Sequence, residues 1–272
     1  GKRVLRTRFG VDEDTCTGDH SCIRLSGCPS LSVKPNPDPL RKDPVASVLN
    51  SCVGCGLCGE VADAAVLCPS FFKADIVQNA NALGGEGGGV LTTWIVRAAE
   101  LCRYPTQSTS IPGVAQRTGA TTYYIEIYPA THEELAGRQP VMALYPAPGN
   151  MDIVVTSELM EAGRMLENGM VTPDRTTLVA STHRVYSVVE KSAMGDGLFR
   201  ADRLSNAAQK LAKRAVLFDM AHLAENKRTV LNAVVLGVIA GSGELPIPVE
   251  NFAASIREAG VAVESNLRGF EA

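Results

Sequence analysis

The chain is poor in the features that mark several classes of protein. Aromatic residues make up 5% of its 272 positions, with a single Trp, and the formal net charge is only −3. Without a basic surplus, no nucleic-acid partner is expected. No apolar run approaches the length of a bilayer span, so no membrane partner is expected either. The opening residues, Gly1-Lys2-Arg3-Val4, show neither an initiator Met nor the apolar core of a signal peptide. The chain therefore reads as an excised piece or as one end of something larger. Histidine is scarce, and His132, His183 and His222 stand without partners at ligand spacing. They read as solvated or core side chains.

Cysteine is unevenly spread: seven of the eight lie within residues 16–69. They form two runs, Cys16, Cys22 and Cys28-Pro29, then Cys52, Cys55, Cys58 and Cys68-Pro69. Two runs that each end in Cys-Pro, with two-residue spacing inside, match the pattern of a two-cluster ferredoxin. Thiolates at that spacing let one loop curl around a cuboidal cluster with its N–H groups aimed at the sulfides. In such pairs the Cys before Pro ligates the other cluster. One cluster (A) then takes Cys28, Cys52, Cys55 and Cys58, and the other (B) takes Cys16, Cys22 and Cys68. Asp19 stands three residues after Cys16, where an eighth thiolate is expected. Either Asp19 ligates the fourth iron of cluster B through a carboxylate oxygen, giving two [4Fe-4S] centres, or cluster B is a [3Fe-4S] centre. His20 is a weaker ligand candidate, one place out of register. Zinc sites favour two pairs of ligands, and three cysteines in a row at this spacing are rare in them. A disulfide framework needs an oxidising compartment and usually an even count. Cysteines bunched in this way point to a reducing cytoplasm.

The remaining text predicts two domains. Residues 1–78 read as an α+β ferredoxin-like two-cluster domain of two βαβ halves, interrupted by a Pro-rich spacer over residues 34–44. Residues 79–272 read as an α/β doubly wound, Rossmann-like domain, because strand patterns near 152–156, 176–181 and 215–220 alternate with helical ones. Ser157 is the expected N-cap of the first of these helices. A glycine-rich loop at 84–89 precedes a helix pattern, the layout that aims N–H groups at an anion or permits close backbone packing. Its glycines do not fit G-x-G-x-x-G, and no Asp or Glu follows between Leu101 and Ile125, so a dinucleotide site is disfavoured. Gly195-Asp196-Gly197, with Asn226 beyond it, echoes a Mg²⁺–thiamine diphosphate signature. The expected buried strand does not precede it, and it is read as no cofactor site. Cys102 reads as a small buried hydrophobe.

Four strings carry a resemblance that spans nearly the whole chain: GGEG at 84–87, PGVAQRTGA at 112–120, DIVVTSE at 152–158 and NLRGF at 266–270. Together they resemble the gamma module of 2-oxoacid:ferredoxin oxidoreductases, whose usual strings run close to GGQG and HGMAQRGG. With a ferredoxin module directly upstream, the chain is similar to part of indolepyruvate (aryl-2-oxoacid) ferredoxin oxidoreductase. The resemblance implies oxidative decarboxylation of an aryl 2-oxoacid with coenzyme A, giving an acyl-CoA, CO2 and two electrons passed to an external ferredoxin. It implies thiamine diphosphate and Mg²⁺ on a partner module or subunit within an oligomeric complex. It also sets Gly85, Gly87, Gln116 and Arg117 nearest the coenzyme A and substrate side, while no catalytic residue is singled out. Glu86 departs from the usual Gln, Gly88-Gly89 is extra loop, and Asp19 departs from the eight-Cys pattern. No thiamine-binding module is present in these residues, so the segment alone is not expected to turn over. Two other readings compete. One is a non-catalytic iron–sulfur carrier with an α/β docking module; the other is a flavin- or nicotinamide-dependent reductase, which the missing ribose acid disfavours.

Overall fold

The computed structural model describes residues 3–49, 51–60, 67–79, 87–111, 121–184, 186 and 188–272. Contacts divide the chain into two units, Gly1–Gly84 with Val185–Arg200, and Gly85–Arg184 with Ala201–Ala272.

The first unit opens with strand β1 (Arg3–Val11), helix α1 (Ser21–Ser26) and strand β2 (Leu31–Lys34). Strand β3 (Val45–Val48), helix α2 (Leu57–Glu60) and strand β4 (Phe71–Asn79) repeat that order. The outer strands pair antiparallel, β1 with β4, and so do the inner ones, β2 with β3. Gly10 faces Phe72 across the outer pair, and a Cβ there would lie 2.3 Å from the Phe72 ring. The ring thus covers the glycine. Four prolines between residues 34 and 44 remove backbone donors and keep that connection out of helix. It is held instead by Asn36 and Asp38, whose side chains accept from Asp38 N and Leu40 N at 3.0 and 2.9 Å.

The unit is completed from far along the chain. Helix α5 (Val188–Ser192) packs on α1, and Tyr186 and Leu198 join the core formed by Ile23, Leu31, Val33, Cys58 and Phe71. The chain leaves the second unit after Arg184 and returns to it at Ala201.

In the second unit, helix α3 (Gly88–Leu101) is followed by an antiparallel pair, β5 (Thr106–Ile111) and β6 (Thr122–Ile127). Three strands, β7 (Ile153–Thr156), β8 (Thr177–Ser181) and β9 (Arg214–Phe218), run parallel in chain order. All five residues of the central strand β8 are buried, as its continuous Thr-Leu-Val-Ala-Ser run requires of a strand covered on both faces. Helix α4 (Leu159–Glu167) follows β7, and its cap is Glu158 rather than the expected Ser157. The Glu158 carboxylate accepts from Met160 N at 3.1 Å and Glu161 N at 3.0 Å, satisfying two donors with one negative group at a helix N-terminus. Helices α6 (Ala201–Leu211), α7 (Met220–Asn226), α8 (Leu231–Ser242), α9 (Val249–Ala259) and α10 (Val263–Phe270) complete the unit. Its main core gathers Trp94, Met220, Leu236, Phe252 and Ile256. No helix among the described residues is long and apolar enough to cross a membrane.

Candidate metal centre

Each cysteine run ends in the same local device. Leu31 N bonds Cys28 O at 3.2 Å, and Phe71 N bonds Cys68 O at 3.1 Å, closing two Cys-Pro-Ser turns that lead directly into strands. Proline suits both turns because its φ is already fixed. The strand after each turn pairs with the strand that feeds the other run, Leu31 opposite Val48 and Phe71 opposite Val11. One more bond locks each junction: Asp12 N to Ser70 O at 2.7 Å, and Leu49 N to Ser30 O at 2.8 Å. Cys68 is thereby delivered to the Cys16 loop, and Cys28 to the Cys52 loop.

Cys16, Cys22 and Cys68 line one cavity of about 360 Å³, together with Asp19, His20 and Ser21. The Asp19 carboxylate accepts from Ser21 N at 3.1 Å and Ser21 Oγ at 2.8 Å. Those bonds hold it below its ordinary range, so it stays ionised. Burial pushes the Cys22 thiol up to about 12, and Cys16, Cys68 and Asp19 add in the same direction. A buried thiol of this kind needs a cation beside it before it can join the other ligands as an anion. Among the described residues, no three His, Cys, Asp or Glu side chains are grouped so as to hold a single metal ion. The donor set of three thiols and a carboxylate lining this cavity is chemically suited to an iron–sulfur cluster, which Cys16, Cys22, Cys68 and Asp19 would hold.

The surroundings of this cavity were not legible in the sequence. His20, at φ 57°, is 1% exposed. Its Nδ1 lies 2.9 Å from Ala193 O and its Nε2 2.9 Å from Pro44 O. Both ring nitrogens are thus engaged by backbone carbonyl oxygens. Arg41, in the Pro-rich connection, donates from Nη2 to Cys16 O at 2.6 Å. The connection is therefore more than a spacer.

In the other loop Cys52 and Cys58 are buried, Cys28 is half-buried and Cys55 is exposed. Gly54 and Gly56 take φ 70° and 84°, which L side chains avoid, and turn the loop twice between Cys52 and Cys58. Ser30 Oγ lies 3.1 Å from Ser51 Oγ, tying the Cys28 turn to the start of this loop.

Of the residues set on the coenzyme A side, Gly87 stands at the N-cap of α3 with φ 71°. The glycine after it serves close packing, because a Cβ on Gly88 would lie 2.6 Å from the Tyr123 ring. Gly85, Gln116 and Arg117 lie outside the described residues. Gly195-Asp196-Gly197 follows helix α5, not a strand, and Asp196 Oδ1 accepts from Leu198 N at 3.2 Å in a local turn. Cys102 Sγ is a hydrogen-bond partner of Asn251 Nδ2 at 3.0 Å. His183 Nδ1 lies 2.8 Å from Ser181 Oγ.

Residues 80–272 match the family model described as pyruvate ferredoxin/flavodoxin oxidoreductase. The chain belongs to that family. This makes it a component of a 2-oxoacid ferredoxin oxidoreductase. The matched span includes residues 185–200, so part of the family's module is folded into the unit that holds the seven cysteines. A comparison with curated proteins gives no match.

Proposed function

We propose that the chain is the electron-transfer and gamma segment of an aryl-2-oxoacid (indolepyruvate) ferredoxin oxidoreductase. The observation that carries this reading is the cavity bounded by Cys16, Cys22, Cys68 and Asp19, in a chain that belongs to the pyruvate ferredoxin/flavodoxin oxidoreductase family. The overall reaction converts a 2-oxoacid and coenzyme A into an acyl-CoA, CO2, one proton and two electrons. Thiamine diphosphate and Mg²⁺ belong to a partner module or subunit of the cytoplasmic complex.

An iron–sulfur cluster, when bound, takes up and releases one electron at a time. The work of this chain is to hold two of them. Cys16, Cys22, Cys68 and the ionised Asp19 surround one, and Cys28, Cys52, Cys55 and Cys58 hold the other. Cys55 is the exposed member of the second set, and an external ferredoxin is the electron acceptor. Gly85, Gly87, Gln116 and Arg117 contribute to the coenzyme A side.

Anaerobic iron and sulfide analysis, with EPR of the oxidised and dithionite-reduced chain, tests the reading. About eight irons per chain with coupled reduced signals are expected if Asp19 is the eighth ligand. About seven irons, with a signal from the oxidised protein, would make the Asp19 centre a three-iron cluster. Stoichiometric zinc without iron would end the electron-transfer reading.

A further inference from the structure

Lys191 lies on α5, the short helix that the chain sends into the cysteine unit from far along its sequence. Its side chain is turned inward, and the residue is only 9% exposed. Its Nζ donates to Leu31 O at 3.0 Å, at the end of the turn that Leu31 N closes on Cys28 O. Among the described residues it makes no ion pair with a carboxylate. Burial works against its charge and lowers its pKa, while Cys28 favours the charged form.

A lysine has a long stem and ordinarily carries its ammonium out to water. Taking that charge inside costs more than one carbonyl contact returns, unless an anion faces it. Neither Cys28 as a neutral thiol nor the Leu31 carbonyl is that anion. A cluster ligated by four thiolates carries net negative charge, and each reduction adds one electron and one further negative charge. A fixed cation beside one thiolate favours the reduced form.

We propose that Lys191 is the buried counter-ion of the cluster held by Cys28, Cys52, Cys55 and Cys58, and that it raises this cluster's reduction potential. The proposal rests on the iron–sulfur reading above. Its consequence is directional: this cluster is a stronger electron acceptor with the Lys191 charge beside it than it would be without that charge. The counter-ion is supplied by the family's module and not by the cysteine-bearing stretch.

The test is an EPR-monitored dithionite titration of the full chain and of Lys191→Met, with iron and sulfide measured on each. In Lys191→Met the midpoint of the four-Cys cluster is expected to move to more negative potential, while that of the Asp19-side cluster stays in place. Lys191→Arg is expected to keep both midpoints near their original values. An unmoved midpoint with iron retained would overturn the proposal, as would equal shifts of both clusters, the mark of general loosening. If Lys191→Met fails to hold iron, Lys191→Gln keeps a donor for Leu31 O without the charge. Iron lost from Gln but kept by Arg supports a counter-ion, and iron lost from Arg as well makes the role one of shape. Absence of iron and sulfide from the unsubstituted chain is a separate result, and it sinks the cluster reading itself.

Discussion

The backbone N–H of Asp12 donates to the carbonyl of Ser70 at 2.7 Å. That bond continues the β1–β4 pairing by one step past Val11 and Phe71. It sets the turn carrying Cys68 against the loop carrying Cys16, although the two are far apart in sequence. Leu49 N and Ser30 O repeat the relationship at 2.8 Å for the other run. Cysteines from distant positions are thus brought to one loop through sheet register, and register is strongly specified wherever one face of a strand is buried.

Asp19→Cys supplies the thiolate missing from the eight-Cys pattern. The Asp19 carboxylate lines the cavity and is fixed by both polar hydrogens of Ser21. The substitution is expected to give a conventional four-iron centre with an altered EPR signature and undiminished iron. A spectrum identical to that of the parent would mean that residue 19 does not face the iron.

Arg41→Met removes the guanidinium that Cys16 O accepts from, while keeping an apolar stem. A hydrogen bond from a charged group contributes about 1.5–3 kcal/mol. Faster chelator-driven loss of iron from the Asp19-side centre is expected, with the four-Cys centre unaffected. Equal loss rates at both centres would show that Arg41 does not act on this loop.

Gly237→Ala and Gly241→Ala, both in α8, are expected to differ in sign. Alanine gains up to about 1 kcal/mol over glycine within a helix. At Gly237, however, the new Cβ would lie 2.2 Å from Phe270 O and 3.0 Å from its carbonyl carbon. Overpacking against backbone costs about 1–3 kcal/mol, so the clash wins. At Gly241 nothing lies within 4 Å, and a gain of a few tenths to about 1 kcal/mol is expected. Urea midpoints that move together would contradict the close approach of α8 to Phe270.

In chain stripped of metal, the Cys22 thiol pushed up to about 12 makes stability depend on pH. The ordinary value is about 8.5, so above it the unfolded chain releases a proton that the folded chain keeps. Stability from this group is complete below about pH 8.5 and is lost as pH rises toward the folded value. Denaturation midpoints, read by alkylation of the buried Cys16, are expected to fall between pH 8 and 11. Cys22→Ser should flatten that slope, because a hydroxyl does not titrate there. A midpoint that rises over this range would show that Cys22 is not buried among like charges.

Cys55→Ala is expected to remove the four-Cys cluster, about half the iron, while the second unit keeps its fold. Iron analysis and a thermal melt followed through Trp94, the single Trp and part of that unit's core, check both halves. Loss of the second unit's transition along with the iron would mean that the two do not fold separately.

What the sequence by itself determined was local. The cysteine spacing, the strands β7 to β9 and the helix Val249–Ala259 were legible, because each depends on residue types a few positions apart. Even there, side-chain reach altered details: Glu158 caps α4 because a longer carboxylate satisfies two N–H groups that Ser157 was expected to serve. Tertiary structure alone decided what surrounds the cysteines. His20 bridges Pro44 and Ala193, Arg41 reaches Cys16, and Lys191 reaches Leu31 across 160 positions. No periodicity connects residues that far apart. The contacts of His20 with Ala193 and of Lys191 with Leu31 exist because the chain between Arg184 and Ala201 buries its apolar side chains in the cysteine unit, and burial brings its polar groups within bonding distance there.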